Sequence, residues 1–269
     1  MRSPCYSPPV DRPELLGTRL FDLTGRVAVV TGAGRGLGRT MALALAAAGA
    51  DIAPSSRTLP ELESLAAEVR ALGRACEPIP ADITDPAAAA ALAATAIDRF
   101  GHIDILVNNA GINIRKPVLE LTHAEYRQVL ATNLEGYFLA AKAFGPHLVA
   151  RGAGKVINIS SILGSVALPN QAAYASAKGG IEQLTKVLAL EWASANVQVN
   201  AIAPTYFETD LTRPLYDDPE RRRFITERTP AGRWGQPHEL AGAVIFLASA
   251  ASDYITGHTL TVEGGWTAW

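Results

Sequence analysis

The chain contains 269 residues, of which 48% are hydrophobic and 19% are charged, and its formal net charge at pH 7 is -2. This composition excludes an intrinsically disordered chain and is typical of a globular protein with a sizeable core. The near-neutral charge gives no electrostatic reason to bind nucleic acid or an anionic membrane, and no uncharged apolar run reaches the roughly 18 residues of a membrane span.

Residues 1–19 show no pattern of a helix or a strand. They contain several prolines and lack the apolar stretch of a secretion signal, so we interpret them as an N-terminal tail. The two cysteines, Cys5 and Cys76, are too few for a disulfide framework or a metal cluster. We therefore expect a cytoplasmic protein without a metal site.

From Arg26 onward, short β-branched apolar runs alternate with longer segments of helical period. This alternation is typical of βαβ units, so we predict an α/β fold over residues 20–269: one doubly wound parallel sheet of about seven strands with helices on both faces. The predicted strands cover residues 27–31, 51–55, 75–79, 105–108, 156–160, 197–202 and 259–262. Helices are predicted to begin at Gly36, Pro60, Pro86, Thr122, Gln171 and Pro237.

Local signals refine some of these boundaries. Asp85-Pro86 places an N-cap before a first-turn proline, and Thr122 with Glu125 forms a capping box. Pro54 is unfavourable inside the second strand because proline cannot donate to the ladder, so the strand is expected to end there.

Residues 204–233 break the alternation of strands and helices. The stretch contains Tyr206, Phe207 and the basic run 221–223. A long connection of this kind in a compact domain is usually functional, so we predict a substrate lid here. We expect the basic run to form a solvated helix face.

Glycines cluster where the first strand meets the first helix, in Thr31-Gly-Ala-Gly-Arg-Gly-Leu-Gly38. Glycine permits the tight turn and lets the backbone approach a pyrophosphate, while the helix N-terminus presents free N–H groups and a partial positive charge. The strand before the cluster and the helix after it favour a dinucleotide-binding turn over a merely flexible loop.

The residues after the second strand indicate which dinucleotide binds. An acidic residue there would bind both hydroxyls of the adenosine ribose, whereas this chain has Ser55-Ser56-Arg57, and Arg35 adds a cation in the glycine turn. We expect NADP, with NAD as the alternative; the alternative for both arginines is an ordinary surface charge. Asp82 either accepts a hydrogen bond from the adenine amino group or caps a turn.

Tyr174 and Lys178 lie one helical turn apart and can face one cavity. A nearby cation favours the phenolate, and bringing the tyrosine pKa from about 10 to about 7 takes roughly 4 kcal/mol. The pattern alone is weak, because a surface tyrosine and a solvated lysine produce it equally. Ser160-Ser161 and Asn108-Asn-Ala-Gly111 end predicted strands at the same sheet edge, where ligands of such sheets bind.

Glycine turn, Asn-Ala-Gly, Ser-Ser and Tyr-x-x-x-Lys, in this order, resemble the short-chain dehydrogenase/reductase family from Leu20 to the end of the chain. The resemblance implies a Rossmann-type fold and an NAD(P)-dependent oxidoreductase. It implies that Ser161, thirteen residues before Tyr174, is the catalytic serine and Tyr174 the general acid–base. It further implies that Lys178 lowers the tyrosine pKa and holds the nicotinamide ribose, and that Asn133 anchors a water of the proton relay.

The same resemblance, together with the glycine turn, gives a set of expected cofactor contacts. They are Gly32, Arg35, Gly36, Leu37, Gly38, Ser56, Arg57, Asp82, Ile83, Asn109, Ala110, Gly111, Tyr174, Lys178, Pro204, Phe207 and Thr209. The family usually has Pro-Gly where this chain has Pro204-Thr205, which leaves the shape of that turn open.

Arg115 and Lys116 follow the Asn-Ala-Gly segment and could either meet a substrate carboxylate or remain a solvated pair. The run Asn-Ala-Gly-Ile-Asn-x-Arg-Lys-Pro is similar to the gluconate 5-dehydrogenase branch of the family. This similarity implies a sugar acid or polyol substrate, contacted by Ser161, Arg115 and Tyr206. The alternatives are a 3-oxoacyl thioester reductase and, in another class, a non-catalytic dinucleotide-binding regulator.

The helix predicted from Gln171 has an apolar stripe through Ile181, Leu184, Leu188 and Trp192 beside a face of small residues. A helix that is apolar on more than one face needs more than its own sheet to cover it. With the helix from Thr122, it resembles the subunit interface of the family, which implies a homotetramer. Trp266 and Trp269 are expected in an interface or the core.

Overall fold

The structure, a computed structural model, describes residues 17–268. Most of the predicted tail and Trp269 lie outside this range. The strands are β1 Val27–Thr31, β2 Asp51–Ser56, β3 Ile79–Pro80, β4 Ile105–Asn108, β5 Gly154–Ile159, β6 Val197–Pro204 and β7 Thr259–Val262. Within 17–268 they form one parallel sheet of seven strands in the order β3-β2-β1-β4-β5-β6-β7, which confirms the predicted fold class.

Helices cover both faces of the sheet. They are α1 Gly36–Ala47, α2 Leu59–Ala71, α3 Pro86–Phe100, α4 His123–Leu130, α5 Gly136–Arg151, α6 Ala172–Trp192, α7 Arg213–Tyr216, α8 Pro219–Arg228 and α9 Ala241–Ala248. Two predicted starts are confirmed, since Asp85 accepts a hydrogen bond from the Ala87 N–H and Thr122 and Glu125 form a capping box. Among the described residues, no helix combines the length and apolar character needed to cross a membrane.

Strands β1, β4 and β6 are buried along their whole length, as a parallel sheet between helices requires of its central strands. In β1, Ala28 and Val30 belong to the core that contains α1, α2 and α9. Val27 and Val29 alternate with them and belong to the core that contains α3, α5 and α6. The strand order reverses at β1, between β2 and β4, and such a switch point opens a crevice at the carboxyl ends of the strands.

The expectation that the second strand ends at Pro54 is wrong. β2 continues to Ser56, and Pro54 pairs in register with Val30 of β1. Ile52 and Ser56 make backbone hydrogen bonds on the β3 side of β2, so Pro54, midway between them, also faces β3. The missing N–H therefore points to the edge strand, where a sheet tolerates proline.

The third strand is correspondingly shorter than predicted. Of residues 75–79, only Ile79 belongs to β3, and an isolated bridge joins Cys76 to Ile52. Pro54 cannot donate a hydrogen bond between these two contacts, so the ladder is interrupted there. The side chains of residues 75–79 favour a strand, but strand pairing also depends on the neighbouring strand β2, where Pro54 has no backbone N–H to donate.

The helix predicted from Thr122 is divided into two. A π-helical turn, Ala131–Glu135, separates α4 from α5. Turns of this type are rare and frequently lie at functional sites. Asn133 lies within it and is completely buried.

The apolar stripe of α6 packs against the core of its own chain. The expectation that this stripe needs a second subunit to cover it is therefore wrong. Ile181 and Leu188 are buried, and Leu184 and Trp192 pack against the core beneath them. The stripe therefore needs no second subunit to cover it.

Candidate active site

Two glycines of the predicted dinucleotide turn have left-handed backbone conformations. Gly32 has a φ of 64° and Gly36 a φ of 56°, values that residues with a Cβ rarely adopt. A Cβ on Gly32 would lie 2.8 Å from Cα of Ala110, and one on Gly38 would collide with the carbonyl of Gly32. The turn is thus compact, and it brings backbone close to the crevice.

The first turn of α1 has no side-chain cap, because its N-cap residue Arg35 makes no capping hydrogen bond. The N–H groups there are available to an anion. Asn109 braces the turn from β4, donating hydrogen bonds from Nδ2 to the carbonyls of Thr31 at 3.0 Å and Gly32 at 3.1 Å. These features fit a dinucleotide pyrophosphate.

Two arginines flank the adenosine end expected for such a cofactor. The side chains of Arg35 and Arg57 are exposed, and among residues 17–268 neither makes a side-chain hydrogen bond or ion pair. Ser56 lies beside them, and its Oγ accepts a hydrogen bond from the Thr58 N–H at 3.2 Å. The charge of Arg57 helps to lower the pKa of Asp82, but neither arginine forms a close ion pair among residues 17–268. Two such cations and a hydroxyl suit a ribose 2′-phosphate.

The third strand is followed by a turn that Asp82 caps. Its Oδ1 accepts hydrogen bonds from the Thr84 N–H at 3.0 Å and from Oγ1 of Thr84 at 2.8 Å. These bonds hold the pKa of Asp82 below its usual value. Ile83 beside it is buried in the core, so its side chain is not directed into the solvent-filled crevice.

The segment after β6 returns to the glycine turn. Thr205 keeps a negative φ and donates from its N–H to the Val262 carbonyl at 3.3 Å, so threonine replaces the usual glycine without strain. Phe207 is buried beside Gly235, whereas the Cβ of Thr209 lies 3.8 Å from the position that a Cβ on Gly36 would take.

Ser161 and Tyr174 meet at the carboxyl end of β5. Ser161 lies just beyond the strand, where its Oγ accepts a hydrogen bond from the Leu163 N–H at 3.2 Å. Burial raises the pKa of Tyr174 above its usual value. The nearby hydroxyl of Ser161 and the guanidinium of Arg115 partly oppose this rise.

Arg115 is a cation whose charge favours the phenolate of Tyr174 in the cofactor-free protein, and the expected effect of Lys178 on this pKa stays a prediction. Lys178 lies deeper, 5.6 Å from the centroid of the Tyr174 ring. Its Nζ donates to the carbonyl of Ile159 at 2.6 Å and to the hydroxyl of Tyr137 at 3.3 Å. Tyr137 was not predicted as a site residue, although it follows Asn133 by one helical turn and therefore lies on the same helix face.

Lys178 should make the stability of the cofactor-free protein depend on pH. Burial lowers the pKa of its ammonium to about 7 from an ordinary 10.5. Between these values the unfolded chain binds more protons than the folded one, so the free energy of unfolding rises with pH, by at most about 1.4 kcal/mol per pH unit. Below pH 7 the full free-energy cost of burying the ammonium lowers the stability of the folded protein. This cost disappears as the pH approaches 10.5, the ordinary pKa of the group in the unfolded chain.

Urea unfolding between pH 7 and 8.5 measures this slope, a range below the ordinary pKa of the Cys76 thiol, 9.0. Lys178→Met should flatten the slope and stabilise the protein near pH 7. Equal slopes in both proteins would contradict the low pKa of Lys178.

Asn133 ties the π-helical turn to the loop after β4. Its Oδ1 accepts from the N–H of Ile112 at 2.9 Å, and its Nδ2 donates to the Ile112 carbonyl at 2.8 Å. Both groups of the amide are therefore engaged. The side chain fixes the loop that carries Arg115.

The two cations of that loop have different environments. Lys116 pairs with Glu125 at 2.5 Å, which removes it from the expected substrate contacts. Arg115 is half-buried, and burial lowers its pKa while Tyr206 and Tyr174 oppose the shift. Its Nε is buried without a hydrogen-bond partner, as is Oδ1 of Asn113, a residue that the sequence analysis overlooked.

The predicted lid contains α7 and α8 and an aromatic cluster. Tyr206 packs between Trp234 at 5.4 Å and Trp266 at 5.5 Å, measured between ring centroids. Trp266 is buried, as expected. The basic run forms an exposed face of α8, as predicted, and the guanidinium of Arg222 lies 4.3 Å from the centroid of the Tyr216 ring.

Among residues 17–268, no group of three or more His, Cys, Asp or Glu side chains could hold a metal ion.

Comparisons with known proteins agree with this arrangement. A family model described as enoyl-(acyl carrier protein) reductase matches residues 32–267. The 2-dehydro-3-deoxy-D-gluconate 5-dehydrogenase of Escherichia coli is 44% identical over 252 residues, which cover 92% of this chain and 98% of the relative. The gluconate 5-dehydrogenase of Gluconobacter oxydans is 40% identical over 248 residues, covering 92% and 97%.

A solved structure is similar over the same length. The gluconate 5-dehydrogenase from Burkholderia cenocepacia, in complex with NADP and tartrate, superposes with a TM-score of 0.90 at 45% sequence identity. The match covers 93% of this chain and 98% of that one.

Proposed function

Because the chain belongs to the short-chain dehydrogenase/reductase family, we propose that it is an NADP-dependent dehydrogenase that interconverts an alcohol and a ketone on a sugar acid or polyol. One observation carries the proposal: Ser161 and Arg115 both lie close enough to Tyr174 to lower its pKa, at the sheet edge that holds the glycine turn. Acid–base groups, a cation and a dinucleotide cradle around one crevice support a dehydrogenase. Relatives named for sugar acids and for galactitol support the substrate class.

The catalytic roles follow from the chemistry of these side chains. When bound, NADP(H) supplies the hydride chemistry. Ser161 donates a hydrogen bond to the carbonyl oxygen, and Tyr174 gives that oxygen its proton as negative charge develops. Lys178 then favours the resulting phenolate as the nearest buried cation. Asn133 holds the loop that carries Arg115. We also propose that the water of the proton relay binds next to Asn133.

Arg115 is the proposed partner of a substrate carboxylate. Its half-buried guanidinium carries an Nε without a partner, and a carboxylate would satisfy that donor with a charge-assisted hydrogen bond. Tyr206 lies close enough to shift the pKa of Arg115 and would line the same pocket. A sugar acid therefore fits better than an acyl thioester, which offers no carboxylate beside its ketone.

Arg115→Met should lower kcat/KM for 5-keto-D-gluconate by about thirtyfold, mainly through KM, because one charge-assisted hydrogen bond contributes roughly 2 kcal/mol. Steady-state rates with NADPH measure this. Reduction of the neutral ketose L-tagatose should fall less, because it has no carboxylate to lose and only the effect of Arg115 on the pKa of Tyr174 remains. Lys116→Met is the matched control, since it removes the neighbouring cation that Glu125 already binds.

A panel of ketones tests the class of substrate. Preferential turnover of acetoacetyl thioesters over keto sugar acids would favour the 3-oxoacyl thioester reductase instead. Absence of turnover with every ketone, despite tight NADPH binding, would favour the non-catalytic regulator.

We propose that the protein is a homotetramer. The outer faces of α5 and α6 carry exposed apolar side chains, among them Phe138, Val187 and Leu190, the last 83% exposed. Large apolar side chains exposed on neighbouring helices are typical of a subunit interface. Light scattering should give about four times 28.4 kDa, and Leu190→Glu should yield smaller species; a monomeric wild type would contradict the proposal.

We further propose a cytoplasmic location. Cys76 is a free, buried thiol, and burial raises its pKa to about 12, so it is unreactive. A chain with so few cysteines gains nothing from an oxidising compartment.

A further inference from the structure

Lys178 occupies an unusual position for an ammonium group in a protein without its cofactor. It is 2% exposed, and none of the ion pairs among the described residues includes it. Burial lowers the pKa of its ammonium to about 7. Because no carboxylate among the described residues pairs with it, its charge and orientation depend on hydrogen bonds and ring contacts.

Tyr137 provides the side-chain contacts that do this. It projects from α5, is 1% exposed, and its ring centroid lies 5.0 Å from Nζ of Lys178. Its hydroxyl accepts a hydrogen bond from that Nζ at 3.3 Å and donates its own proton to the Ile159 carbonyl at 3.1 Å. The same carbonyl accepts from Lys178 at 2.6 Å, so the three groups form a closed triangle.

The direction of these bonds favours the ammonium form. The single proton of the Tyr137 hydroxyl is committed to Ile159, so the phenol oxygen presents a lone pair to Lys178. Both groups around Nζ are then acceptors, and the aromatic face beneath it also attracts a cation. A neutral amine would form weaker hydrogen bonds with both acceptors and a weaker contact with the ring.

The other titratable groups nearby do not replace Tyr137. Tyr174 lies on the same helix as Lys178 and contacts it only through its ring. Glu182, one turn further along α6, accepts a hydrogen bond from Ser160 at 3.2 Å, and Arg115 acts on Tyr174. Of the described residues of α5, Tyr137 alone forms a hydrogen bond with Lys178.

We propose that Tyr137 is a positioning residue, which holds the Lys178 side chain charged and extended in the crevice before the cofactor binds. The inference rests on the proposed function in one respect, the assignment of Lys178 to the cofactor site. It adds a residue from a different helix to the proton-transfer machinery and couples α5 to α6 at that point.

Tyr137→Phe tests the role of the hydroxyl, because it removes the acceptor and keeps the ring. The pH above which NADPH affinity and kcat decline should fall by about one unit, the effect of losing one hydrogen bond to a charged group. KM for the keto substrate should not change. In the cofactor-free protein, the pH at which the free energy of unfolding begins to rise should fall by the same amount.

Two further variants separate positioning from a purely structural role. Tyr137→Leu also removes the ring and should shift both profiles further. Thr185→Val is the matched control: it deletes another buried hydroxyl near the centre of α6, which accepts from Asn158 at 2.9 Å and donates to Ile181 at 2.8 Å. It should lower stability without moving either pH profile.

A Tyr137→Phe protein that loses stability like Thr185→Val, with both profiles unmoved, would overturn the inference. The outcome is distinguishable from failure of the proposed function. If the wild type turns over no keto sugar acid, the NADPH titration and the cofactor-free unfolding curves still decide the role of Tyr137.

Discussion

Tyr174→Phe should lower kcat for reduction of a keto sugar acid by about a thousandfold, within the range for loss of a general acid. The variant keeps the ring that packs beside Lys178 but loses the hydroxyl whose pKa responds to Ser161. The hydrogen bond that the Ser161 hydroxyl accepts comes from a backbone N–H, which cannot supply a proton. The substrate oxygen would then develop negative charge with a single hydrogen-bond donor and no proton source.

Steady-state kinetics with NADPH should show the loss in kcat, and fluorescence titration should show unchanged NADPH affinity. Tyr254→Phe is the control, because this tyrosine is fully exposed and should retain wild-type rates. Full activity of Tyr174→Phe with several ketones would remove the residue from acid–base chemistry and leave Ser161 to explain catalysis.

The sequence predicted the sheet and the crevice because both depend on local patterns. Strands β1, β4 and β7 have the predicted bounds, since each is a short apolar run between breakers. The glycine turn was equally readable, because left-handed backbone at Gly32 and Gly36 requires the residue type that the sequence shows.

Features that depend on partners distant in sequence were not predictable in this way. Lys116 looked equivalent to Arg115 until the fold placed Glu125 beside it. Tyr137 had no motif of its own, and its contact with Lys178 exists only because α5 and α6 lie side by side. The pKa of Tyr174 likewise depends on burial and on Arg115, neither of which follows from the spacing to Lys178.

Arg57→Asp should change the ratio of kcat/KM with NADPH to kcat/KM with NADH by about a hundredfold in favour of NADH. The exposed guanidinium has no hydrogen-bond or ion-pair partner among residues 17–268 and is free to bind the 2′-phosphate. A charge-assisted hydrogen bond contributes about 1.5 to 3 kcal/mol, and an aspartate adds repulsion toward NADP while accepting from the ribose hydroxyls of NAD. Initial rates with both coenzymes at a saturating keto substrate measure the ratio.

Arg19→Asp is the control for this prediction, because it makes the same change in net charge at another exposed position. An equal shift in that variant would assign the effect to the overall field of the protein. A ratio unchanged in Arg57→Asp would contradict the assignment of the 2′-phosphate to Arg57 and leave Arg35, the N-cap residue of α1, as the remaining candidate. Arg35→Ser would then produce the loss of NADPH preference, so the two variants together locate the phosphate relative to the glycine turn.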